Sequence, residues 1–483
     1  MKISKNSYDS ILFMIVKIFT IVSGILCVSI LSRTLTLEMY GTYSQLNIVV
    51  TMVTSITVFG LIDAVNYYYN KTENKNEQKE NLDTIISLQL LIGIISGILL
   101  LILDKFIVKY FENKLLSCYF IFIIFRPMTT NIMSSLQVLQ ISIGKAKFIA
   151  IRNALFAILR LIVIFITAYI THDIRTILII YLISEIFFII YFKKEFEKEC
   201  FKISITKINW KKAKEILFYS MPMGIYVMTN SLSRDIDKLI IGKFFGTEQL
   251  AIYSNCATLL PFDIVSSAFL TIIIPTMTRY IGMKEIDKGR KLFMNYLKIG
   301  YMTTISFTIV SIVLSKEIIL LLYGKKYLSG QVIFIIYTVV DMLKFANVSL
   351  VLSANGETKT LMKYSFITLI LNLILNLAFY KSIGFIGPAI STVIVTAILS
   401  LSLIKKSANI FKTNLINIIE WKDLSIFIII SGAIGLVLFY LENIMIKANI
   451  NFVLILVIIG MLYMGIILIL YLKKLILIMK EIK

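Results

Sequence analysis

Thr84-Ile-Ile-Ser-Leu-Gln-Leu-Leu-Ile-Gly-Ile-Ile-Ser-Gly-Ile-Leu-Leu-Leu-Ile-Leu103 runs for twenty residues without a charged side chain. A helix rising 1.5 Å per residue needs roughly 20 apolar residues to cross a hydrocarbon core of about 30 Å, so this segment reads as a membrane-crossing helix. The same pattern recurs along the chain, near 10–32, 43–69, 84–104, 115–140, 148–171, 175–192, 215–241, 249–279, 292–314, 331–354, 361–380, 383–404, 424–441 and 450–472. Fourteen spans make the expected fold an all-α integral membrane protein.

Composition agrees with this class. Of 483 residues, 58% are hydrophobic, 16% are charged and only 5 are proline, a balance that water as solvent would not tolerate. The net charge of +21 resides largely in short connections between apolar runs, which is topological charge and gives no reason to expect a nucleic-acid partner. With the N-terminus inside, the cytoplasmic connections hold an about three-fold excess of Lys and Arg over the outer ones, placing both termini in the cytoplasm. The basic start, Lys2 and Lys5, precedes an apolar run to about Leu31 that is too long for a signal peptide and reads as a retained span. Cys27, Cys118, Cys200 and Cys256 are scattered without paired spacing and His172 is the sole histidine, so neither a metal nor a redox cofactor is expected.

Two connections have character of their own. The segment 193–214 carries eight lysines and ends in Trp210-Lys-Lys-Ala-Lys-Glu-Ile, which reads either as a basic interfacial helix leading into span seven or as a solvated linker. Ser315-Lys-Glu-Ile-Ile-Leu-Leu-Leu-Tyr-Gly324 is apolar but too short to span, and is expected at the outer surface.

The halves of the chain echo each other. Arg33-Thr-Leu-Thr-Leu-Glu38-Met-Tyr-Gly-Thr-Tyr43-Ser44-Gln45 follows span one, and Lys243-Phe-Phe-Gly-Thr-Glu248-Gln-Leu-Ala-Ile-Tyr253-Ser254-Asn255 follows span seven, at an offset of 210 residues. Gly144-Lys-Ala-Lys147 and Gly356-Glu-Thr-Lys359 repeat at an offset of 212. Six spans between equivalent points preserve orientation, so the repeat is parallel. The expected organisation is an N-terminal lobe of six spans (1–192), the basic linker (193–214), a second six-span lobe (215–404), and two added spans with a cytoplasmic tail (405–483).

No catalytic motif is present: no HExxH, GxSxG, phosphate-binding loop or GxGxxG after a strand. What remains is charge at membrane depth, which costs several kcal/mol and marks protein interiors or wet cavities. Arg126, Arg160 and Lys344 fall near the midplane. Arg152, Lys238 and Lys298 fall close enough to an interface to snorkel. Lys17, Arg126, Arg160, Arg234 and Lys344 are the candidate cationic cavity residues, offering donors to a phosphate or pyrophosphate. Local pairing is the alternative: Asp341 and Lys344 share a helix face, and Arg234 adjoins Asp235 and Asp237. Asp63, Glu185, Asp263 and Asp341 are candidates for proton or sodium coupling, or else structural partners of the cations. Pro222, Pro261 and Pro275, with Gly224 and Gly242, interrupt spans seven and eight and offer points of bending.

Several motifs carry a family likeness: Ser32-Arg-Thr-Leu, Tyr40-Gly-Thr-Tyr43, Phe59-Gly-Leu, Tyr219-Ser-Met-Pro222-Met, Asp237-Lys-Leu-Ile-Ile-Gly-Lys-Phe-Phe-Gly246, Leu322-Tyr-Gly324, Leu352-Ser-Ala-Asn-Gly356 and Ile386-Gly-Pro-Ala-Ile-Ser391. Over nearly its whole length the sequence resembles the polysaccharide biosynthesis flippases that export O-antigen or capsule repeat units. Their superfamily, MOP, also includes the multidrug-and-toxin-extrusion (MATE) transporters and the lipid II flippase. The resemblance implies a two-lobe, fourteen-helix flippase of the bacterial inner membrane. It would accept an undecaprenyl-pyrophosphate-linked oligosaccharide and work by alternating access, with polysaccharide polymerase machinery as a candidate partner. Two other readings stand beside it: a cation-coupled drug exporter of the same superfamily, whose cavity would be acidic and aromatic, and a non-transporting scaffold of a synthesis complex, whose buried charges would be paired off.

Overall fold

The structure is a computed structural model describing residues 5–482, apart from the side chains of residues 5–15, 146, 271, 272, 480 and 482. Lys2 and the side chain of Lys5 lie outside the described residues. The chain is helical, with no strand among the described residues, as lipid requires of a backbone that must satisfy its own polar groups. In order the helices are α1 Lys5–Thr34, α2 Leu37–Thr57, α3 Leu61–Asn70, α4 Lys75–Phe111, α5 Leu115–Phe120, α6 Arg126–Ser142, α7 Ala146–Ile166, α8 Arg175–Glu199, α9 Trp210–Phe244 and α10 Thr247–Cys256. There follow α11 Ile264–Gly282, α12 Ile286–Val313, α13 Ser315–Leu322, α14 Gln331–Leu343, α15 Leu350–Ala354, α16 Thr358–Ile383, α17 Gly387–Ile410, α18 Leu415–Ile418, α19 Trp421–Lys447 and α20 Phe452–Ile482. Among the described residues ten helical segments are long and apolar enough to cross a membrane, or eleven if the bent pair in α11 counts as one span.

Four stretches that hydropathy presents as continuous spans are broken. Span two divides at Phe59 and Gly60, which have φ of 44° and 70°. Span four divides between α5 and α6, span eight between α10 and α11, and span ten between α14 and α15. Each break has a local cause or a local remedy. Pro127 opens α6 where a missing N–H costs nothing, and Pro261 lies in the gap before α11. By contrast α9 runs through Pro222 without interruption, contrary to the sequence expectation. Pro275 leaves the carbonyl four residues earlier without its helical bond, and α11 bends by 51° between Leu270 and Ile273.

Two compact units divide between Ala251 and Ile252. In the first, α6 packs on α2, α3, α4 and α8, α1 lies along α7, and α9 packs on α2, α3 and α4. Polar side chains stitch these helices: Asn113 donates to Gln45 Oε1 at 2.7 Å and to Thr42 Oγ1 at 2.9 Å, and Gln89 donates to Ser135 Oγ at 2.7 Å. The basic connection is tied down as well. Asp83 accepts from the Ser204 amide at 2.7 Å, Glu80 pairs with Lys212 at 2.8 Å, and Asn209 caps α9 through the amides of Lys211 and Lys212. The residues from Trp210 onward belong to α9 itself.

In the second unit α12 packs on α11, α14, α19 and α20, while α16 and α17 form a hairpin that joins α14 through α17. Val313, Leu314, Leu438, Met445, Ile455, Ile459 and Tyr463 bury the C-terminal helix pair against α12 and α13. The repeated glycines adopt one turn in both units. Gly144 and Gly356 have φ of 81° and 76°, and the next residue donates its amide to a carbonyl five positions back: Lys145 to Gln140 and Glu357 to Leu352, both at 2.9 Å. This left-handed helix ending favours glycine.

The tightest approach in the first unit joins the α2–α3 break to α9. A Cβ on Gly224 would lie 2.5 Å from the carbonyl carbon of Phe59, and one on Gly60 would lie 2.2 Å from the Ser220 oxygen. Small residues at such contacts let helices approach closely. Gly224→Ala is therefore expected to destabilise the protein by about 1–3 kcal/mol. Gly432→Ala, in α19 with nothing within 4 Å, is expected to be neutral or mildly stabilising. Thermal unfolding of the purified variants checks both.

Candidate functional site

Tyr181 and Glu185 stand one turn apart on α8, so both face the same neighbours. Opposite Glu185 lies the start of α6. Arg126 Nη2 donates to Glu185 Oε1 at 3.2 Å, Thr130 Oγ1 donates to the same oxygen at 3.2 Å, and the Thr129 hydroxyl donates to Oε2. A carboxylate at a helix N-terminus is favoured by the orphan amides and dipole there, and this one also neutralises the guanidinium. The sequence reading gave Arg126 to the cationic cavity and Glu185 to the ion-coupling candidates; the structure joins them in one buried ion pair.

Arg152 lies two turns before Arg160 on α7 and is only 6% exposed. Its guanidinium carbon sits 4.4 Å from the Phe188 ring centroid, 4.8 Å from Phe156 and 5.7 Å from Phe192. Aromatic faces receive this cation, and Nη1 donates to Asn153 Oδ1 at 3.1 Å. Depth alone had sent Arg152 to the interface. Lys298 is likewise buried, pairing with Glu420 and with Asp423 at 2.6 Å, and Lys238 pairs with Asp235 at 3.0 Å.

Arg160 and Lys17 line a common cavity of about 380 Å³ between α1 and α7, together with Thr20, Ser23, Asn153 and Phe156. Ser23 donates to the Ala157 carbonyl at 3.0 Å, fixing α1 against α7 at this level. Arg160 stands beside Tyr181, Tyr43 and Cys27. Its guanidinium meets the Tyr181 hydroxyl, while its Nε is buried without a hydrogen-bond partner among the described residues. On its other side the Tyr181 ring meets Arg126, whose guanidinium carbon is 5.7 Å from the ring centroid. Inside the first unit, then, Arg126 and Arg152 act on the Glu185 carboxylate, Arg160 stands beside Tyr181, and Lys17 adds a fourth cation at the cavity wall. Arg234 is exposed on α9 and makes no ion pair among the described residues, because its neighbour Asp235 is held by Lys238.

The second unit gathers acids. Asp341 is buried near the end of α14 and accepts from the Leu260 amide at 2.8 Å, satisfying backbone at the break before α11. Asp263 and Lys344 both stand close enough to act on its charge. The two breaks meet here, since Ser266 donates to the Phe345 carbonyl at 3.1 Å and the Asn347 amide donates to the Tyr296 hydroxyl at 2.9 Å. Irregular backbone at membrane depth survives where protein satisfies it. Asp63 is exposed in the first turn of α3.

Tyr181, Thr129 and Thr130 stand in this cluster but escaped the sequence reading, and Arg152 was read there as an interface residue. The first three carry no charge and so do not register as costly in an apolar helix, although the i,i+4 spacing of Tyr181 and Glu185 was a usable signal. Arg152 needed the fold, which alone brings the rings of α8 to α7.

Comparison with known proteins gives this arrangement a context. The sequence profile described as "Polysaccharide biosynthesis protein" matches residues 30–333. The capsular polysaccharide biosynthesis protein CapF of Staphylococcus aureus is 24% identical over 336 residues, covering 67% of this chain and 80% of CapF. The probable lipid II flippase MurJ of Rickettsia prowazekii (strain Madrid E) is 24% identical over 196 residues, 39% of each chain. Among solved structures, lipid II flippase MurJ in an inward closed conformation superposes with a TM-score of 0.75 at 19% identity, covering 96% of this chain and 99% of that one. A MOP superfamily transporter from Pyrococcus furiosus superposes at 0.56 and 13% identity, covering 83% and 94%. The chain has the fold of these two solved structures. The chain is a multi-pass integral membrane protein and belongs to the polysaccharide biosynthesis protein family.

Proposed function

We propose that the protein is a flippase that carries an undecaprenyl-pyrophosphate-linked oligosaccharide from the cytoplasmic to the outer leaflet of the bacterial inner membrane by alternating access. The observation that carries this reading is the Lys17–Arg160 cavity, which two cations line and where the Arg160 Nε lacks a partner among the described residues. A buried donor without a partner favours a ligand rich in acceptor oxygens, as a diphosphate is. The names of the relatives, a capsular polysaccharide protein and a lipid II flippase, point to the same class of cargo. A drug exporter of cationic compounds would put acids at this wall.

Within this reading the residues divide their work. Lys17 and Arg160 bind the anionic head group. Arg126 and Glu185 hold α6 against α8 and position the Tyr181 ring. Asp341, with Asp263 and Lys344 beside it, is the coupling site for a proton or sodium ion. The two lobes of the repeat are 1–192 and 215–404, joined by 193–214 and followed by 405–483, with both termini in the cytoplasm.

Three outcomes follow. Arg160→Ala and Lys17→Ala, each inserted at normal levels, are expected to lower surface polysaccharide about ten-fold or more, equivalent to about 1.4 kcal/mol or more, while the lipid-linked unit accumulates in the inner leaflet. Normal export by both variants refutes the cationic site. Glu185→Gln strands Arg126 and is expected to cost about 3–5 kcal/mol in thermal or denaturant unfolding, most of it recovered in the double variant with Arg126→Gln. Asp341→Asn keeps an acceptor for the Leu260 amide, so it is expected to fold normally and to make transport in vesicles insensitive to the imposed ion gradient.

A further inference from the structure

Helices α13 and α19 bring together two carboxyl groups that the transport reading leaves without a role. Glu317 lies in the first turn of α13 and is 1% exposed; Glu442 lies toward the end of α19 and is 4% exposed. Their side chains are in contact, and each has a buried Oε2 without a partner among the described residues. Glu442 lines a cleft of about 580 Å³ between α12, α14 and α19, whose wall also includes Lys316, Gln331 and Asn443.

The neighbours define what the pair can hold. The charged side chain acting on it is Lys316, from α13 itself. From α14 comes Gln331, whose Nε2 donates to Ser315 Oγ at 2.9 Å. From α20 comes Tyr463, whose hydroxyl lies beside Ser431. The 3-10 turn Lys325–Gly330 directs Tyr327 toward Cys256, and α12 contributes the apolar Ile309 and Val313. Two carboxylates in contact away from water repel, and with one ammonium nearby a single added positive charge makes the cluster neutral. A calcium ion takes six or more oxygens and magnesium about six, whereas the Ser315 hydroxyl is already engaged. No group of three or more His, Cys, Asp or Glu residues among the described residues is placed to hold a metal ion.

We propose that Glu317 and Glu442 share one proton, and that this proton fastens the C-terminal helices α19 and α20 to α12 and α13. The seam those helices bury is largely apolar, and the ion pairs of Asp423 with Lys298 and Lys474 also join α12, α19 and α20. Losing the proton places two charges in that seam and loosens the C-terminal pair. The attachment of α19 and α20 therefore weakens as pH rises, independently of whether the cationic cavity of the first unit binds a lipid-linked saccharide.

The experiment is thermal unfolding of the purified full chain in choline buffer free of sodium and potassium, followed by tryptophan fluorescence, with Trp421 opening α19. Glu442→Gln supplies a permanently neutral amide in place of the protonated acid. Its midpoint is expected to match the wild type near about pH 6 and to exceed it by about 3 °C or more near about pH 9. Glu317→Gln is expected to behave alike. Parallel profiles for the wild type and both variants overturn the proposal. So does recovery of the wild-type midpoint at about pH 9 on adding sodium or potassium, which identifies a metal cation as the occupant. Should neither amide variant fold, the wild-type infrared spectrum decides. A protonated-carboxyl band that persists at about pH 7.5 and vanishes together with the fall in midpoint supports the shared proton, and its absence overturns it.

Discussion

The interior of the first unit rests on the compensation of buried guanidinium groups. Arginine keeps its charge in any protein, so a helix that carries one into the bilayer must find it a carboxylate, an aromatic face or a ligand. The three arginines of α6 and α7 take one of these solutions each. Arg126 has Glu185, Arg152 has the rings of Phe156, Phe188 and Phe192, and Arg160 has the Tyr181 side of α8 together with the cavity it shares with Lys17. The register of α6, α7 and α8 satisfies all three at once, and that shared requirement gives the cavity its sign.

Much of this was open to reading before the fold was known. Apolar segments about 20 residues long located the helices, and the echo between Gly144 and Gly356 proved to be one left-handed helix ending used twice. Arg160 and Lys17 emerged from depth alone and share a cavity. The misreadings have a common physical root. A hydropathy window averages over side chains and is blind to backbone conformation, so the breaks at Phe59–Gly60, before Arg126 and after Lys344 were invisible to it, whereas Pro261 marked the break before α11. Counting residues inward along an unbroken helix then misjudges depth: Arg126 begins a new helix, and Arg152 is roofed by rings rather than drawn to the interface. Pairing across helices, as between Arg126 and Glu185, follows from tertiary contact that spacing does not encode.

The second unit handles charge in the opposite sense. Asp341 spends its carboxylate on a backbone amide released by a broken helix, and Glu317 and Glu442 meet at the seam of the C-terminal pair. Acids are suited to both tasks, because a carboxyl group can accept from an amide or give up its charge by taking a proton. Arginine can do neither. Each unit thus uses the ionisable residue whose chemistry fits its polar tasks, while the surrounding apolar helices carry the fold.

The charge compensation of the first unit also constrains how the chain is made. Synthesis runs from α6 to α8, so Arg126, Arg152 and Arg160 leave the ribosome before Glu185, Tyr181 and Phe188 exist. A central arginine costs about 2.5–3.5 kcal/mol on insertion scales, and α7 brings two of them to the translocon with no carboxylate and with Phe156 alone as aromatic cover. The charge compensation of α6 and α7 is therefore completed only when α8 arrives. The order of helices along the chain is, in this respect, a timetable for biogenesis.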